Sequence, residues 1–136
     1  MTRLLITGGS GYLGRHLARR VAAAWPGEWR YTTYSADPLG LPQAVRLDLR
    51  DGAAVPRFVA DFAPEAIIHT AGSNRTPDMD AVIVEGTRYM AEAAARAGAR
   101  LVHLSTDSVF GGDRAPYDES AAPAPVNDYG RAKAAA

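Results

Sequence analysis

The stretch Arg3-Leu4-Leu5-Ile6-Thr7-Gly8-Gly9-Ser10-Gly11-Tyr12-Leu13-Gly14 decides the fold. Its first five residues are a short apolar run closed by glycines, the pattern of a strand buried in a parallel sheet. From Gly11 the period changes. Leu13, Leu17, Val21 and Ala24 recur at spacings of three and four, Arg15, Arg19 and Arg20 fall on the other face, and Pro26-Gly27 stops the run, which predicts an amphipathic helix. Between strand and helix, Gly8 permits a tight turn, Gly11 lets the backbone approach a ligand, and Gly14 allows close packing of helix on strand. The helix start offers free N–H groups and a positive dipole end, which suit the diphosphate of a nicotinamide dinucleotide. Gly8, Ser10, Gly11, Tyr12, Leu13 and Gly14 are therefore the expected residues of a cofactor turn.

The rest of the chain repeats the alternation. Arg30 to Ser35, rich in Tyr and Thr, reads as a second strand, with Asp37-Pro38-Leu39-Gly40 turning the chain after it. Val45 to Leu49 reads as a third, and Ala66 to Thr70 as a fourth, ending at Ala71-Gly72. Gly52 to Phe62 predicts a short helix with Val55, Phe58, Val59 and Phe62 on its apolar side and Pro56 in its first turn. Asp78 to Ala97 is the longest helical stretch, capped by Gly98, and Arg100 to Ser105 is a fifth strand. Residues 111 to 126 form an irregular loop, and a last helix starts near Val126 to Asp128. The expected fold is α/β: a Rossmann-type, doubly wound parallel sheet of about five strands with helices on both faces, residues 1–136 forming one dinucleotide-binding domain. Because the chain ends in Lys133-Ala134-Ala135-Ala136 while still helical in character, it reads as the N-terminal portion of something longer, without the part that would bind substrate.

Bulk properties narrow the function classes. Fifteen basic and fifteen acidic residues cancel, so no global field recruits nucleic acid or an anionic membrane. No apolar run approaches the roughly 18 to 20 residues of a membrane span, and Met1-Thr2-Arg3 enters the first strand without secretory features. The absence of cysteine removes disulfides, thiolate metal sites and cysteine nucleophiles, and points to the cytoplasm. His16, His69 and His103 lie far apart with no metal-ligand spacing, so no metal is expected. His69 reads as a packed, hydrogen-bonded histidine.

In such a fold, functional groups gather beyond the carboxyl ends of the strands. Asp48 and Leu49, at the end of the third strand, are expected to meet an adenine ring, the carboxylate accepting from the amino group and Leu49 packing on the face. Thr70, Ala71 and Gly72 are small enough to let ribose and diphosphate pass over the sheet. Thr106 follows the fifth strand. Tyr129 and Lys133, four apart on a helix, project from one face, where a nearby cation favours the phenolate and makes a useful general acid or base. Thr106 could orient a carbonyl beside them.

Taken in order, Gly8-x-x-Gly11-x-x-Gly14, Asp48-Leu49, Ser105-Thr106-Asp107-Ser108-Val109-Phe110 and Tyr129-x-x-x-Lys133 resemble the extended short-chain dehydrogenase/reductase family, and within it the dTDP-4-dehydrorhamnose reductase branch. The resemblance spans essentially the whole chain. It implies that Thr106, Tyr129 and Lys133 are the catalytic set: Tyr129 donates a proton to the carbonyl oxygen, Lys133 holds the nicotinamide ribose and tunes Tyr129, and Thr106 hydrogen-bonds the substrate oxygen. The substrate implied is a small carbonyl compound, such as a 4-keto deoxysugar nucleotide, and a homo-oligomer is compatible with it. Two positions depart from the branch: Ser108 stands where it places a tyrosine, and Glu85 where relatives carry asparagine.

Cofactor preference turns on the end of the second strand. A carboxylate there binds the ribose 2′-hydroxyl and repels a 2′-phosphate. Tyr34-Ser35 stands there instead, with Asp37 further on, and Arg15 after the glycine turn could meet a phosphate, so NADP is favoured over NAD. The competing readings are a sugar-nucleotide epimerase or dehydratase using the same residues, and a regulatory module that holds the dinucleotide without turnover.

Overall fold

A computed structural model describes residues 2–73 and 75–136. Met1, with which the sequence enters its first strand, lies outside the described residues. The strands β1 (Leu4–Thr7), β2 (Trp29–Thr33), β3 (Ala44–Arg46), β4 (Ala66–His69) and β5 (Arg100–His103) form one sheet in the order β3-β2-β1-β4-β5. All four pairings are parallel, with Leu4 beside both Trp29 and Ala66. The chain winds outward from β1 through β2 to β3, then crosses back to β4 and β5. That reversal places the switch in strand order between β1 and β4, where a doubly wound sheet opens a crevice at its carboxyl end.

The helices are α1 (Tyr12–Ala24), α2 (Ala54–Phe62), α3 (Gly86–Ala97) and α4 (Asp128–Ala135). Alternation along β1 sends Leu4 and Ile6 to a core shared with Ala18, Leu17 and Val21 of α1. Leu5 faces a second core with Val55, Val59 and Phe62 of α2 and Met90, Ala93 and Ala94 of α3. The sheet is thus covered on both faces, and each fully buried aliphatic side chain contributes about 2 kcal/mol of burial. Pro56 sits in the first turn of α2, where its missing N–H costs nothing. Gly98 caps α3 at φ 66°, its N–H donating to the carbonyls of Ala94 and Ala95.

Four sequence expectations are corrected. The apolar stripe of α1 is not the one its leucines suggest: Gly14 and Ala18 are its buried residues, Leu17 and Val21 are half-buried, and Leu13 is 44% exposed. The small residues bring the helix axis so close to the sheet that Leu13 is left at the rim. β2 ends at Thr33 rather than Ser35, and β3 ends at Arg46 rather than Leu49. The edge strand has only β2 to pair with, so the ladder stops when β2 does. Leu47 still donates to the Thr33 carbonyl, and the Asp48 carboxylate then turns the chain by accepting from the Arg50 N–H. β4 and β5 likewise stop short, at His69 and His103. The 78–97 helix carries a π-helical turn at Ala81–Glu85 before α3, and a short 3-10 turn forms at Asp107–Val109; hydrophobic periodicity does not separate these windings from an α-helix.

His69 is fully buried and bonded at both ring nitrogens, to Thr7 Oγ1 at 2.7 Å and Thr87 Oγ1 at 3.0 Å. Thr7 Oγ1 also accepts from the Ala71 N–H, so a neutral ring that receives the Thr7 hydroxyl proton and donates to Thr87 satisfies every group. Burial, followed by the nearby His103 and Lys133, pushes the His69 pKa down to about 3. An unfolded chain takes up this proton near pH 6.5 and the native one does not, so stability is complete above that pH and falls as pH drops toward 3. At about 1.4 kcal/mol per pH unit, urea unfolding at pH 5 should show roughly 2 kcal/mol less stability than at pH 7.5. A flat profile over that window would exclude a neutral buried His69.

Candidate functional site

The glycine turn is built as a cradle. Gly8 has φ +73°, and a Cβ there would lie 2.8 Å from the Ala71 backbone. Its N–H donates to Thr32 Oγ1, and that of Gly9 to the Thr32 carbonyl at 2.8 Å. A Cβ on Gly9 would strike the Tyr31 ring at 2.3 Å, so this glycine is required too; its neighbour across the sheet, invisible in a linear motif, is the reason. A Cβ on Gly14 would meet the Gly8 carbonyl oxygen at 2.0 Å, whereas one on Gly11 would meet only that oxygen, at 3.2 Å. Gly14 is therefore a packing glycine, and Gly11 is bare on the side that opens to the cleft.

A cleft of about 300 Å³ lies over the carboxyl ends of β1, β2 and β4. Gly8, Ser10 and Gly11 line it from the turn, Thr70, Ala71 and Gly72 from the end of β4, and Ser35, Asp48 and Leu49 from the ends of β2 and β3. Tyr12 and Leu13 are exposed at the start of α1, outside the lining, and Gly14 lies beneath the turn. Arg15 lies over the Tyr12 ring, 5.6 Å from its centroid, and is not a lining residue.

Sequence reasoning missed the charged hub of this cleft. Arg50 donates from Nε and Nη2 to the two oxygens of Asp48, at 2.9 and 2.8 Å, from Nη2 also to the Tyr34 hydroxyl, and from Nη1 to Asp78. The bidentate pair holds the Asp48 carboxyl below the usual carboxylate range. Asp48 keeps one lone-pair direction on Oδ2, so an adenine amino group can still be accepted. Asp37 does not line the cleft; both of its oxygens accept from the Tyr31 hydroxyl, and Oδ1 also from the Leu39 N–H. Only the sheet, which brings residues 31, 34, 48, 50 and 78 to one edge, reveals these pairings.

The second cluster stands beyond β5. Asn127 caps α4, its side-chain oxygen accepting from the Gly130 N–H at 2.7 Å. Lys133 is 7% exposed and donates from Nζ to the Leu104 carbonyl at 2.5 Å, and its burial lowers its pKa. Tyr129, half-buried one turn earlier, has no hydrogen-bond partner for its hydroxyl among the described residues. Thr106 Oγ1 accepts from the Ser108 N–H at 3.2 Å and caps the 3-10 turn. α4 packs on that turn through Gly130, where a Cβ would lie 2.1 Å from the Ser108 carbonyl oxygen; the Tyr-x-x-x-Lys spacing gives no hint of this requirement. Thr106, Tyr129 and Lys133 do not line the cleft; Lys133 and Thr106 are anchored just beyond the end of β5, and Tyr129 stands one turn before Lys133 on α4. Glu85 does not belong to either cluster, since its carboxylate pairs with Arg88 on the exposed helix face.

Known proteins are similar to this chain in sequence and fold. The model of a family described as RmlD substrate binding domain matches residues 1–136. Methionine adenosyltransferase 2 subunit beta of Pongo abelii is 33% identical over 142 residues, which cover 96% of this chain and 40% of that protein. The dTDP-4-dehydrorhamnose reductase of Aggregatibacter actinomycetemcomitans is 33% identical, over 98% of this chain and 45% of that one. The Bordetella bronchiseptica enzyme WbmG, solved in complex with NAD, superposes with a TM-score of 0.86 at 27% identity, covering 98% of this chain and 47% of WbmG; WbmG has also been solved with NAD and UDP. The chain thus spans less than half the length of each of these proteins. Among the described residues, no helix is long and apolar enough to cross a membrane.

Proposed function

The chain belongs to the RmlD substrate binding domain family, and on that premise we propose that it is the cofactor-binding part of a cytoplasmic NAD(P)-dependent reductase, preferring NADP, that reduces a carbonyl on a sugar-nucleotide substrate. The observation that carries the reading is the glycine cradle: Gly11 leaves backbone bare toward the cleft while Gly8 and Gly14 are consumed by packing. A diphosphate fits such a surface, because N–H donors at a helix start replace its hydration. The names of the reductase relative and of the NAD-bound neighbour support the same chemistry.

In this reading the residues divide the work. Ser10 and the N–H groups at the start of α1 hold the diphosphate where Gly8 and Gly11 leave it room, Asp48 and Leu49 hold the adenine, and Thr70 to Gly72 leave room for the ribose. The reduced coenzyme, when bound, supplies the hydride. Tyr129 gives its hydroxyl proton to the carbonyl oxygen, Thr106 steadies that oxygen by a hydrogen bond, and Lys133 holds a ribose hydroxyl and sets a positive charge near the phenol. Lys133 is prepared for this by its anchor on Leu104, since a lysine held at its place loses less freedom when it binds.

The reading is tested with the whole protein that carries this chain. Adding a 4-keto deoxysugar nucleotide should consume NADPH in proportion to substrate. Turnover of the sugar without net NADPH consumption would mean an epimerase or dehydratase instead. A dinucleotide-holding subunit is the second reading, favoured by a relative whose name makes it a subunit of another enzyme; saturable coenzyme binding without turnover of any sugar nucleotide would support it.

A further inference from the structure

Beside the adenosine end of the cleft, outside its lining, stands a cation that pairs with no carboxylate among the described residues. Arg46 is the last residue of β3 and pairs in register with Thr33, the last residue of β2. Its side chain bends over Tyr34, with the guanidinium carbon 5.9 Å from the ring centroid. Arg50 lies over the same ring at 5.2 Å and donates to its hydroxyl, which pins Tyr34 as a platform. The two guanidiniums differ in their engagements. Arg50 is spent on Asp48, Asp78 and Tyr34. Arg46 is exposed and has no ion-pair partner among the described residues.

The carboxylates at this end are occupied as well, Asp48 and Asp78 by Arg50 and Asp37 by Tyr31. Tyr34 and the exposed Ser35 follow β2 directly and line the cleft. In a doubly wound sheet this is where the ribose of the adenosine half lies, and an arginine nearby accommodates a 2′-phosphate. We propose that Arg46 selects NADP(H) over NAD(H), meeting the 2′-phosphate from the Tyr34 platform with the Ser35 hydroxyl as second donor. The inference rests on the dinucleotide reading of the cleft. A planar guanidinium over a ring is preorganised for two charge-assisted bonds to a phosphate.

The test is a calorimetric titration of the protein and of Arg46→Gln with NADPH, NADH, 2′,5′-ADP and 5′-AMP. The native protein should bind NADPH and 2′,5′-ADP more tightly than NADH and 5′-AMP. Arg46→Gln, which keeps the stem over Tyr34, should weaken the two 2′-phosphorylated ligands by at least about tenfold and move the other two less than twofold, and Arg46→Lys should recover part of the loss. A preference that survives in Arg46→Gln overturns the assignment, as does a native protein without preference. Absence of binding by all four ligands would overturn the dinucleotide reading itself, and is distinguishable because the first two failures still show saturable uptake. Thermal unfolding of each variant at the native midpoint confirms that an exposed residue, not the fold, has been changed.

Discussion

Replacing Gly14 with alanine should cost both stability and coenzyme binding, whereas replacing Gly11 should cost binding alone. The methyl of Gly14→Ala would sit 2.0 Å from the Gly8 carbonyl oxygen and 2.7 Å from its carbon. Both are backbone atoms of a turn tied to Thr32 and packed on Ala71, so the helix must shift away from the sheet. Such overpacking costs about 1–3 kcal/mol, and the better helix propensity of alanine returns only about 1 kcal/mol. A displaced turn no longer aims its N–H groups, and NADPH affinity should fall by about a hundredfold or more, since two misdirected charge-assisted bonds are worth roughly 3 kcal/mol. Gly11→Ala asks much less: its methyl meets one oxygen at 3.2 Å, a tight contact that a small shift of the turn relieves, and the backbone at φ −75°, ψ 170° suits any residue. Its urea midpoint should stay within error of the native value while NADPH uptake is lost, because the methyl occupies the place of the diphosphate. Equal coenzyme affinity in native and Gly11→Ala protein would remove the cradle from the binding site.

Turnover should fall by about 10²–10⁴-fold when Tyr129 becomes phenylalanine, with coenzyme affinity unchanged. The phenol oxygen has no partner among the described residues, so its removal breaks no structural bond. α4 keeps its Asn127 cap, its Gly130 contact with Ser108, and the Lys133 anchor on Leu104. The variant therefore isolates the proposed proton donor from its scaffold. Stopped-flow NADPH oxidation against a 4-keto sugar nucleotide, beside a coenzyme titration, separates the two quantities. A variant within a few-fold of native turnover would show that another group protonates the carbonyl.

Much of this was legible before any coordinates. The apolar run ending in Gly8 fits a buried strand and the three-and-four spacing after Gly11 a helix, and together they give a βαβ opening. Gly98 after an alanine-rich run, and Pro56 at the head of α2, carry their local meaning in their backbone restrictions alone. His69 was rightly read as a packed residue, and its two threonine partners show why. What stayed hidden depends on residues far apart in sequence. The leucines of α1 suggest a buried stripe, while the close approach of helix to sheet through Gly14 and Ala18 puts Leu13 at the rim. The edge strand β3 was read too long because its ladder depends on where β2 stops.

The amino-acid sequence by itself determined the order of elements, the parallel sheet and the glycine turn, because each follows from local periodicity and from the dihedral freedom of single residues. Only the tertiary structure decided which charges in and beside the cleft pair with one another among the described residues. Asp48, Arg50 and Asp78 are held together, Asp37 is turned to Tyr31, and Arg46 is left over Tyr34. Electrostatic pairing depends on distance in space, and that distance is set when the strands align, not when the chain is written.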